Sequence, residues 1–287
     1  MVITVTGSTG TIGSELLRLL SETGVATRAV YRHSHKIRDL PNVVWVRADL
    51  ADSRVLEAVL AGSKRLFVLS DNMPGFGAQQ IALINAAGSL GVRHVVKLSA
   101  LGASGHSNSW IAREHYVVEQ ALQQQSAMTW TMLRPHAFMQ NWLGDVAASV
   151  RAEGVFRSPI GDGRVPFIDT RDIAAVAAKT LLEPEAHAGK KYFLTGPEAV
   201  GYADVAAAIS EATGHRVRYQ PISMDEERTR LEALRIPPPI IDAMLAIATY
   251  QSAGGATSTV SDRVERILER PARSIHDFVQ DYKDRFA

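Results

Sequence analysis

The chain has 287 residues, of which 46% are hydrophobic and 21% charged, values typical of a soluble globular protein with a sizeable core. Lys and Arg number 31 against 30 for Asp and Glu, and a net charge of +1 indicates neither nucleic-acid nor membrane-surface binding. The chain has no cysteine, which excludes disulfides, thiolate catalysis and cysteine-ligated metals. No apolar run reaches the length of a membrane span, and the chain opens on a predicted strand, so we expect no signal peptide and a cytoplasmic location.

The first twenty residues contain the most specific motif in the sequence. The β-branched run of residues 2–6 predicts a buried strand, and apolar residues between positions 12 and 20 recur near helical spacing. A glycine loop of spacing GxxGxxG lies between them, and this order of strand, loop and helix is typical of a nucleotide-phosphate site. The helix N-terminus would present N–H groups to a pyrophosphate, which glycine lets the backbone approach; a glycine turn without a ligand is the alternative. The predicted binding residues of this loop are Gly7, Ser8, Thr9, Gly10, Thr11, Ile12 and Gly13.

The end of the second predicted strand, Ala26–Tyr31, is where a dinucleotide fold selects its coenzyme. An acidic residue there accepts a hydrogen bond from the ribose 2′-OH of NAD, whereas an arginine pairs with the 2′-phosphate of NADP. Residues 23–38 contain no Asp or Glu but several basic residues. We therefore predict that Arg32 binds the 2′-phosphate of NADP(H), with Lys36 or Arg38 as helpers and NAD(H) as a weaker ligand. The alternative is a solvated basic loop.

Strands and helices continue to alternate, which predicts a parallel, doubly wound sheet. Ligands bind at the carboxyl ends of the strands in such sheets, so residues there are further candidates for coenzyme contacts. Asp49 can meet an adenine amino group, but it can equally cap the next helix. The predicted strands cover residues 42–47, 65–70, 92–99 and 128–133, and the predicted helices cover residues 53–61, 78–90 and 110–125. The candidate coenzyme residues at strand ends are Asp49, Leu50, Leu69, Ser70, Ser99 and Pro135.

The remainder of the chain is predicted to complete this domain and to form a smaller lobe. Residues 154–166 are rich in turn signals and are predicted to be an irregular excursion. We predict an α/β fold with a doubly wound Rossmann domain, residues 1–135 plus 165–198, and a C-terminal α/β substrate lobe, residues 136–164 plus 199–287. The lobe is expected to cover the substrate cleft. Its predicted elements are a helix over Tyr202–Thr213, a strand over residues 217–221, and helices over residues 225–233 and 240–250.

These motifs together resemble the NmrA-like group of atypical short-chain dehydrogenase/reductases, and the resemblance runs along nearly the whole chain. It implies a Rossmann fold that binds NADP(H) and either reduces quinones or dyes, or senses the coenzyme without turnover. The stretches that carry it are the glycine loop, Arg32, Asp49-Leu50, residues 95–99, Leu133-Arg134-Pro135 with Phe138-Met139-Gln140-Asn141, the run Ile168-Asp169-Thr170-Arg171-Asp172-Ile173-Ala174, and Leu194-Thr195-Gly196-Pro197.

One departure from the wider family concerns the proton donor. Ordinary members carry a Tyr-x-x-x-Lys pair on the helix after the fifth strand, where the lysine lowers the pKa of the proton-donating tyrosine. When Glu119 is aligned with the family's helix glutamate, Ile111 takes the tyrosine position and His115 the lysine position. Tyr116 is one step out of place and is followed four residues later by Gln120. The usual acid is therefore predicted to be missing, which is common in the NmrA-like group.

Two titratable residues are candidates for the catalytic role. His115 could donate a proton to a developing oxyanion or hold the nicotinamide ribose, unless it is simply a packed or solvent-facing helix histidine. Lys97, near the end of the fifth strand, could face the nicotinamide or reach solvent. The only histidines with close spacing are His33 and His35, and we predict no metal.

The residues after the sixth strand are candidates for the substrate pocket. Phe138, Met139, Asn141 and Trp142 would lie over the nicotinamide end, where aromatic and methionine side chains suit a flat apolar substrate. The same residue types are ordinary in a hydrophobic core, so core packing is the alternative. The partner is thus expected to be an aromatic or quinone-like small molecule, and the protein a monomer or homodimer.

The leading hypothesis is an NADPH-dependent reductase that transfers hydride to a conjugated acceptor such as a quinone or an azo- or imine-type dye. Such acceptors delocalise the charge and take hydride without a strong acid beside them, which fits a missing Tyr/Lys pair. A non-catalytic NADP(H)-sensing regulator is the competing hypothesis. An isomerase or epimerase that uses the coenzyme internally is a third, and the absent tyrosine argues against it.

Overall fold

The computed structural model describes residues 1–32 and 37–287, which form two compact units. The division differs from the predicted domains mainly where the chain returns to the first unit, at Arg171 instead of residue 165. The assignment of a coenzyme domain and a substrate lobe stays a prediction. The first unit comprises Met1–Ser107, Ile111–Pro135 and Arg171–Phe193, and the second comprises Asn108–Trp110, His136–Thr170 and Leu194–Ala287.

The strands and helices, numbered in chain order, follow the predicted alternation. The strands are β1 (Val2–Val5), β2 (Ala26–Tyr31), β3 (Val43–Arg47), β4 (Ser63–Val68), β5 (His94–Leu98), β6 (Thr129–Pro135), β7 (Val155–Ser158), β8 (Arg164–Val165), β9 (Lys190–Leu194), β10 (Val200–Gly201) and β11 (Arg218–Pro221). The helices are α1 (Thr11–Glu22), α2 (Leu56–Leu60), α3 (Phe76–Ser89), α4 (Trp110–Gln123), α5 (Asp145–Glu153), α6 (Thr170–Leu182), α7 (Pro184–His187), α8 (Tyr202–Thr213), α9 (Met224–Ala233), α10 (Pro238–Ser252), α11 (Arg263–Leu268) and α12 (Ile275–Asp281).

A seven-stranded sheet of order β3-β2-β1-β4-β5-β6-β9 forms the centre of the first unit, and its pairings from β3 to β6 are parallel. This confirms the predicted doubly wound sheet. Strand order reverses between β1 and β4, so the crevice outside the carboxyl ends of these two strands is the ligand position typical of the fold. Apolar residues of β4, β5 and β6 pack against those of α3 and α4, among them Val95, Val118 and Leu122. Burying each such side chain contributes about 1.5–3 kcal/mol.

The second unit has a separate core that is rich in aromatic rings. Its strands form two small sheets, β10 with β8 and β11 with β7. The indole of Trp142 lies 5.3 Å from the ring of Phe156, 5.1 Å from that of Phe167 and 4.9 Å from that of Tyr202, measured between centroids. Tilted and edge-on contacts of this kind add to the energy of burial.

Two local predictions differ from the structure. The predicted helix of residues 53–61 consists of a 3₁₀ turn, Ser53–Val55, followed by α2, and Asp52 accepts from the Arg54 N–H at its start. The helix-capping alternative for Asp49 is therefore wrong. The predicted excursion of residues 154–166 contains β7 and β8, because partners far along the chain, β11 and β10, complete their pairing. Among the described residues, no helix has the length and apolar character that a membrane crossing requires.

Candidate coenzyme and active site

The glycine loop connects β1 to α1 at the carboxyl edge of the central sheet. Gly7 has a φ of +63°, and the Gly10 N–H donates to the Gly7 carbonyl at 3.0 Å, so the chain turns sharply. Gly10 occupies the N-cap of α1 without a side chain to cover the helix end. The first turn of α1, residues 11–14, also has no acidic residue. The helix N-terminus therefore presents its N–H groups and its partial positive charge outward.

Two of the three glycines are required by close packing within the loop. A Cβ at Gly13 would lie 2.1 Å from the Gly7 carbonyl oxygen, and one at Gly7 would lie 2.7 Å from Cγ of Leu69. At Gly10 a Cβ would meet only the Gly7 oxygen, at 3.3 Å. Packing thus explains Gly7 and Gly13 fully but Gly10 only weakly. A pyrophosphate that approaches the exposed backbone at Gly10 would explain the third glycine, so the loop fits a dinucleotide.

The other loop residues divide by the direction of their side chains. Ser8 is fully buried and donates to the Val30 carbonyl at 2.5 Å, and Ile12 is buried in the core. These two residues can offer only backbone groups to a ligand. Thr11 is exposed and Thr9 half-buried, so their hydroxyls remain near the surface.

The basic segment after β2 contains one ion pair in the described part of the chain. Nη2 of Arg32 lies 2.7 Å from Oδ2 of Asp71, which follows β4. Arg28 serves a structural purpose, because its Nη1 donates to the carbonyls of Val59 at 2.7 Å and Ala61 at 2.9 Å. Arg38 is exposed, whereas Lys36 lies outside the described residues. Of Arg32 and Arg38, the two predicted phosphate ligands that the structure describes, Arg32 lies at the end of β2.

The predicted residues at strand ends have local partners. Asp49 is exposed, and its Oδ1 accepts from the Ala51 N–H at 3.1 Å, while Leu50 packs beside the core of the first unit. Ser70 accepts a hydrogen bond from Gln80 Nε2 at 2.7 Å. Within residues 1–32 and 37–287, Gln80 Oε1 is buried without a hydrogen-bond partner. Roles of Asp49, Leu50 and Ser70 in coenzyme binding stay predictions.

Lys97 and His115 lie together at the carboxyl end of β5. Lys97 is fully buried, so the expectation that it could reach solvent is wrong; its Nζ donates to the Leu98 carbonyl and lies 3.1 Å from His115 Nδ1. His115, on α4, keeps 5% of its surface exposed, and its ring centroid lies 4.9 Å from that of Phe76. The solvent-facing alternative for His115 is excluded.

Burial controls the protonation of this pair. Burial lowers the pKa of Lys97 to about 7, although the nearby Glu119 carboxylate favours the charged form. Burial and then the charges of Lys97 and Arg134 lower the pKa of His115 well below 6.5, so its imidazole is neutral at neutral pH. When Lys97 is charged it can only donate, so Nδ1 of His115 then accepts and the ring proton lies on Nε2. The contact with Lys97 uses Nδ1 of His115, which leaves the Nε2–H as the donor of the ring.

Glu119 connects α4 to three strands of the sheet. Its carboxylate accepts from Ser99 Oγ at 2.6 Å and from Arg134 Nε at 2.7 Å, and it lies 3.3 Å from Lys191 Nζ. Burial would raise the pKa of Glu119, but hydrogen bonds from Arg134 and Ser99 outweigh it and hold that pKa below its usual value. Ser99 is occupied by this bond, and Pro135 accepts from the Leu101 N–H at 3.0 Å through its carbonyl. Contacts of Ser99 and Pro135 with a coenzyme stay predictions.

Sequence reasoning missed the contacts that Glu119 and Asp71 make at the candidate site. In the sequence, Glu119 was used only as the reference position for aligning α4 with the wider family. Its place between the apolar residues Val118 and Leu122 is a signal of a buried carboxylate. Asp71 gave no local signal, because its partner lies 39 positions earlier in the chain.

The four predicted substrate residues lie in the second unit and differ in exposure. Met139 and Trp142 are only 1% and 3% exposed and belong to the aromatic core, as the core-packing alternative requires. Phe138 is half-buried and Asn141 is exposed. Substrate contacts of all four stay predictions. In the described ranges, 1–32 and 37–287, no group of three His, Asp or Glu residues is placed to hold a metal ion; His33 and His35 lie outside them.

Comparison with known proteins agrees with this architecture. An NAD(P)H azoreductase of Xenophilus azovorans is 38% identical over 97% of both chains. A (4-alkanoyl-5-oxo-2,5-dihydrofuran-3-yl)methyl phosphate reductase of Streptomyces griseus is 32% identical over 100% of this chain and 99% of its own. The structure of the NADPH-dependent quinone oxidoreductase QOR2 of Escherichia coli, complexed with NADPH, superposes with a TM-score of 0.87 at 27% identity and covers 98% of this chain and 99% of that one. The model of the NmrA-like family matches residues 1–277, and the chain belongs to this family.

Proposed function

We propose that this chain is an NADPH-dependent reductase that transfers hydride to a conjugated, electron-poor acceptor, either a quinone or an azo- or imine-type dye. The observation that carries this proposal is the glycine loop at the strand-order reversal, with Arg32 beside it at the end of β2. Full-length relatives named as an NAD(P)H azoreductase and an NADPH-dependent quinone oxidoreductase support the same chemistry.

The residues that would hold NADPH have separate tasks. The N–H groups at the start of α1 and the exposed backbone at Gly10 would bind the pyrophosphate, and the Arg32 guanidinium would bind the 2′-phosphate. When bound, the coenzyme supplies the hydride. The protein would contribute orientation and a site from which water is excluded.

His115 is our candidate for the proton donor. Its ring carries the proton on Nε2 whenever Lys97 is charged, since Lys97 then donates to Nδ1. If Nε2 gives its proton to an acceptor anion, Nδ1 can take one from Lys97, whose pKa of about 7 suits transfer near neutral pH. Lys97 would thus replace the proton that His115 delivers to the acceptor. Substrate contacts by Phe138, Met139, Asn141 and Trp142 are part of the same proposal.

Steady-state assays with NADPH and a panel of quinones and azo dyes test this function. The expected result is NADPH consumption that depends on at least one acceptor class. NADPH binding without turnover on any acceptor would contradict a reductase and favour a coenzyme sensor.

A histidine variant tests the proton donor. We expect His115→Gln to lower kcat for an azo dye by about 100-fold, the scale of a general acid, and kcat for a quinone by less, because a quinone delocalises the charge. The KM for NADPH should change little. His215→Gln, at an exposed position of the second unit, is the matched control. Unchanged azo turnover in His115→Gln would remove His115 from the mechanism.

A further inference from the structure

The ion pair between Arg32 and Asp71 crosses the place where a dinucleotide would bind. Arg32 follows β2 and Asp71 follows β4, and the sheet order β2-β1-β4 puts β1 between them. Their 2.7 Å contact therefore spans the carboxyl end of β1, from which the glycine loop starts. Both side chains are largely exposed, 55% and 74%, so a ligand can reach each of them.

The two side chains have opposite preferences for the group on the coenzyme ribose. A 2′-phosphate carries about −1.5 to −2 charges, so it is attracted by Arg32, repelled by Asp71, and must compete with Asp71 for the guanidinium. A 2′-hydroxyl is neutral and donates well to a carboxylate, the interaction that acidic residues make in NAD-binding folds. Residues 23–38 contain no acidic residue, yet the fold brings one to this position from the end of β4.

We propose that Asp71 is a specificity-determining residue that narrows the preference for NADPH over NADH. Its ion pair with Arg32 competes with the 2′-phosphate of NADPH for the guanidinium. Its carboxylate also accepts a hydrogen bond from the 2′-hydroxyl of NADH, so that one site binds both coenzymes. This inference rests on the proposed coenzyme function and extends it to a residue outside the segment that normally selects the coenzyme.

Two substitutions at Asp71 separate its charge from its hydrogen bond. Asp71→Asn removes the charge and keeps an acceptor oxygen, whereas Asp71→Ala removes both. An exposed ion pair is worth up to about 1 kcal/mol, so either variant should bind NADPH up to about fivefold more tightly. NADH binding should stay within about twofold in Asp71→Asn and weaken in Asp71→Ala, because only the second loses the acceptor. Dissociation constants come from titration of the nicotinamide fluorescence of each coenzyme.

A double mutant tests whether Asp71 acts through Arg32. In an Arg32→Ala background the gain in NADPH affinity from Asp71→Asn should fall below about twofold, since no guanidinium is left to release. A gain of full size in that background would overturn the role of the pair. An unchanged ratio of NADPH to NADH affinity in both single variants would overturn the role of Asp71 altogether.

Glu22→Gln is the matched control. It removes the carboxylate from another exposed ion pair, that of Glu22 with Arg18. Glu22 is the last residue of α1 and lies about 16 Å along the helix from the glycine loop. This variant should leave both affinities unchanged, and a shift equal to that of Asp71→Asn would reduce the effect to overall charge. Failure of this inference can also be distinguished from failure of the proposed function. Wild-type protein that binds neither coenzyme would contradict the function, whereas wild-type binding with an unaltered ratio in the Asp71 variants would contradict only this inference.

Discussion

A lysine ammonium that is closed off from water is costly to keep charged, and Lys97 is such a group. Its partners are the Leu98 carbonyl and the neutral ring of His115, and the Glu119 carboxylate nearby compensates only part of the lost hydration. Groups with strongly lowered pKa values in a strand-end position are typical of functional sites, although structural networks produce them as well. The stability of the protein should reveal this cost directly.

The first prediction concerns the pH dependence of stability. The pKa of Lys97 is about 7 in the folded chain and near 10.5 when the chain is unfolded. Between these values the unfolded chain binds more protons, so the free energy of unfolding should rise with pH from 7 towards 10, by up to about 1.4 kcal/mol per unit from this residue.

Urea unfolding at several pH values checks this prediction. Lys97→Met, which removes the buried charge, should flatten the rise, whereas Lys190→Met at an exposed position should retain it. Equal slopes in all three proteins would show that Lys97 titrates normally.

At the scale of single residues, the sequence identified candidate residues more successfully than it predicted their contacts. Lys97 and His115 were both found as candidates from their positions, and their contact follows from the packing of α4 on β5. The ion pairs of Arg32 with Asp71 and of Glu119 with Arg134 were not predicted. The partners are distant in the sequence, and the local sequence around one partner does not indicate the other. The same limit applies to Met139 and Trp142, since a core and an apolar pocket use the same side chains.

Among the elements, α4 is joined to the sheet by a buried carboxylate in addition to its apolar face. Glu119 receives hydrogen bonds from Ser99 after β5 and Arg134 in β6, and it lies beside Lys191 in β9. Removal of one member of a buried ionic network leaves the remaining charge without compensation, at a cost of about 3–5 kcal/mol. We therefore predict that Glu119→Ala lowers the free energy of unfolding by this amount in urea denaturation.

An exposed glutamate supplies the comparison for Glu119. Glu22→Ala breaks an ion pair with Arg18 on the surface of α1 and should cost less than about 0.5 kcal/mol. If Glu119→Ala were no more destabilising than Glu22→Ala, the ionic network would add nothing to the apolar packing of α4 on the sheet.

The glycine loop gives a second prediction at the element scale. Gly13→Ala places a Cβ 2.1 Å from the backbone oxygen of Gly7, so β1 and α1 must separate and the coenzyme site should be lost along with stability. Gly102→Ala is the control, because a Cβ there meets nothing within 4 Å. Thermal unfolding and NADPH titration of both variants measure these effects. Coenzyme binding by Gly13→Ala at wild-type affinity would mean that the loop does not need the close approach of residue 13 to the Gly7 carbonyl.

For the molecule as a whole, the sequence predicted the first unit more completely than the second. Alternating buried strands and helices leave few topologies open, because parallel strands require right-handed crossovers that place helices on both faces. The second unit has short strands that pair across long separations, such as β7 with β11, and local patterns do not specify such pairings. Residues 154–166 were therefore predicted to be irregular although they contain two strands.

The last prediction concerns coenzyme binding and global stability. A ligand that binds only the folded chain stabilises it in proportion to the logarithm of its concentration over Kd, so NADPH at 100 times its Kd should add about 2.7 kcal/mol to the free energy of unfolding. If loss of the Arg32 guanidinium weakens NADPH binding about tenfold, Arg32→Ala should gain only about 1.4 kcal/mol at the same concentration. NADH lacks the 2′-phosphate, so its effect should be nearly equal in the two proteins. Urea unfolding with each coenzyme measures these differences. Equal losses for NADPH and NADH in Arg32→Ala would contradict the 2′-phosphate role, because a residue that merely supports the loop would weaken both coenzymes alike.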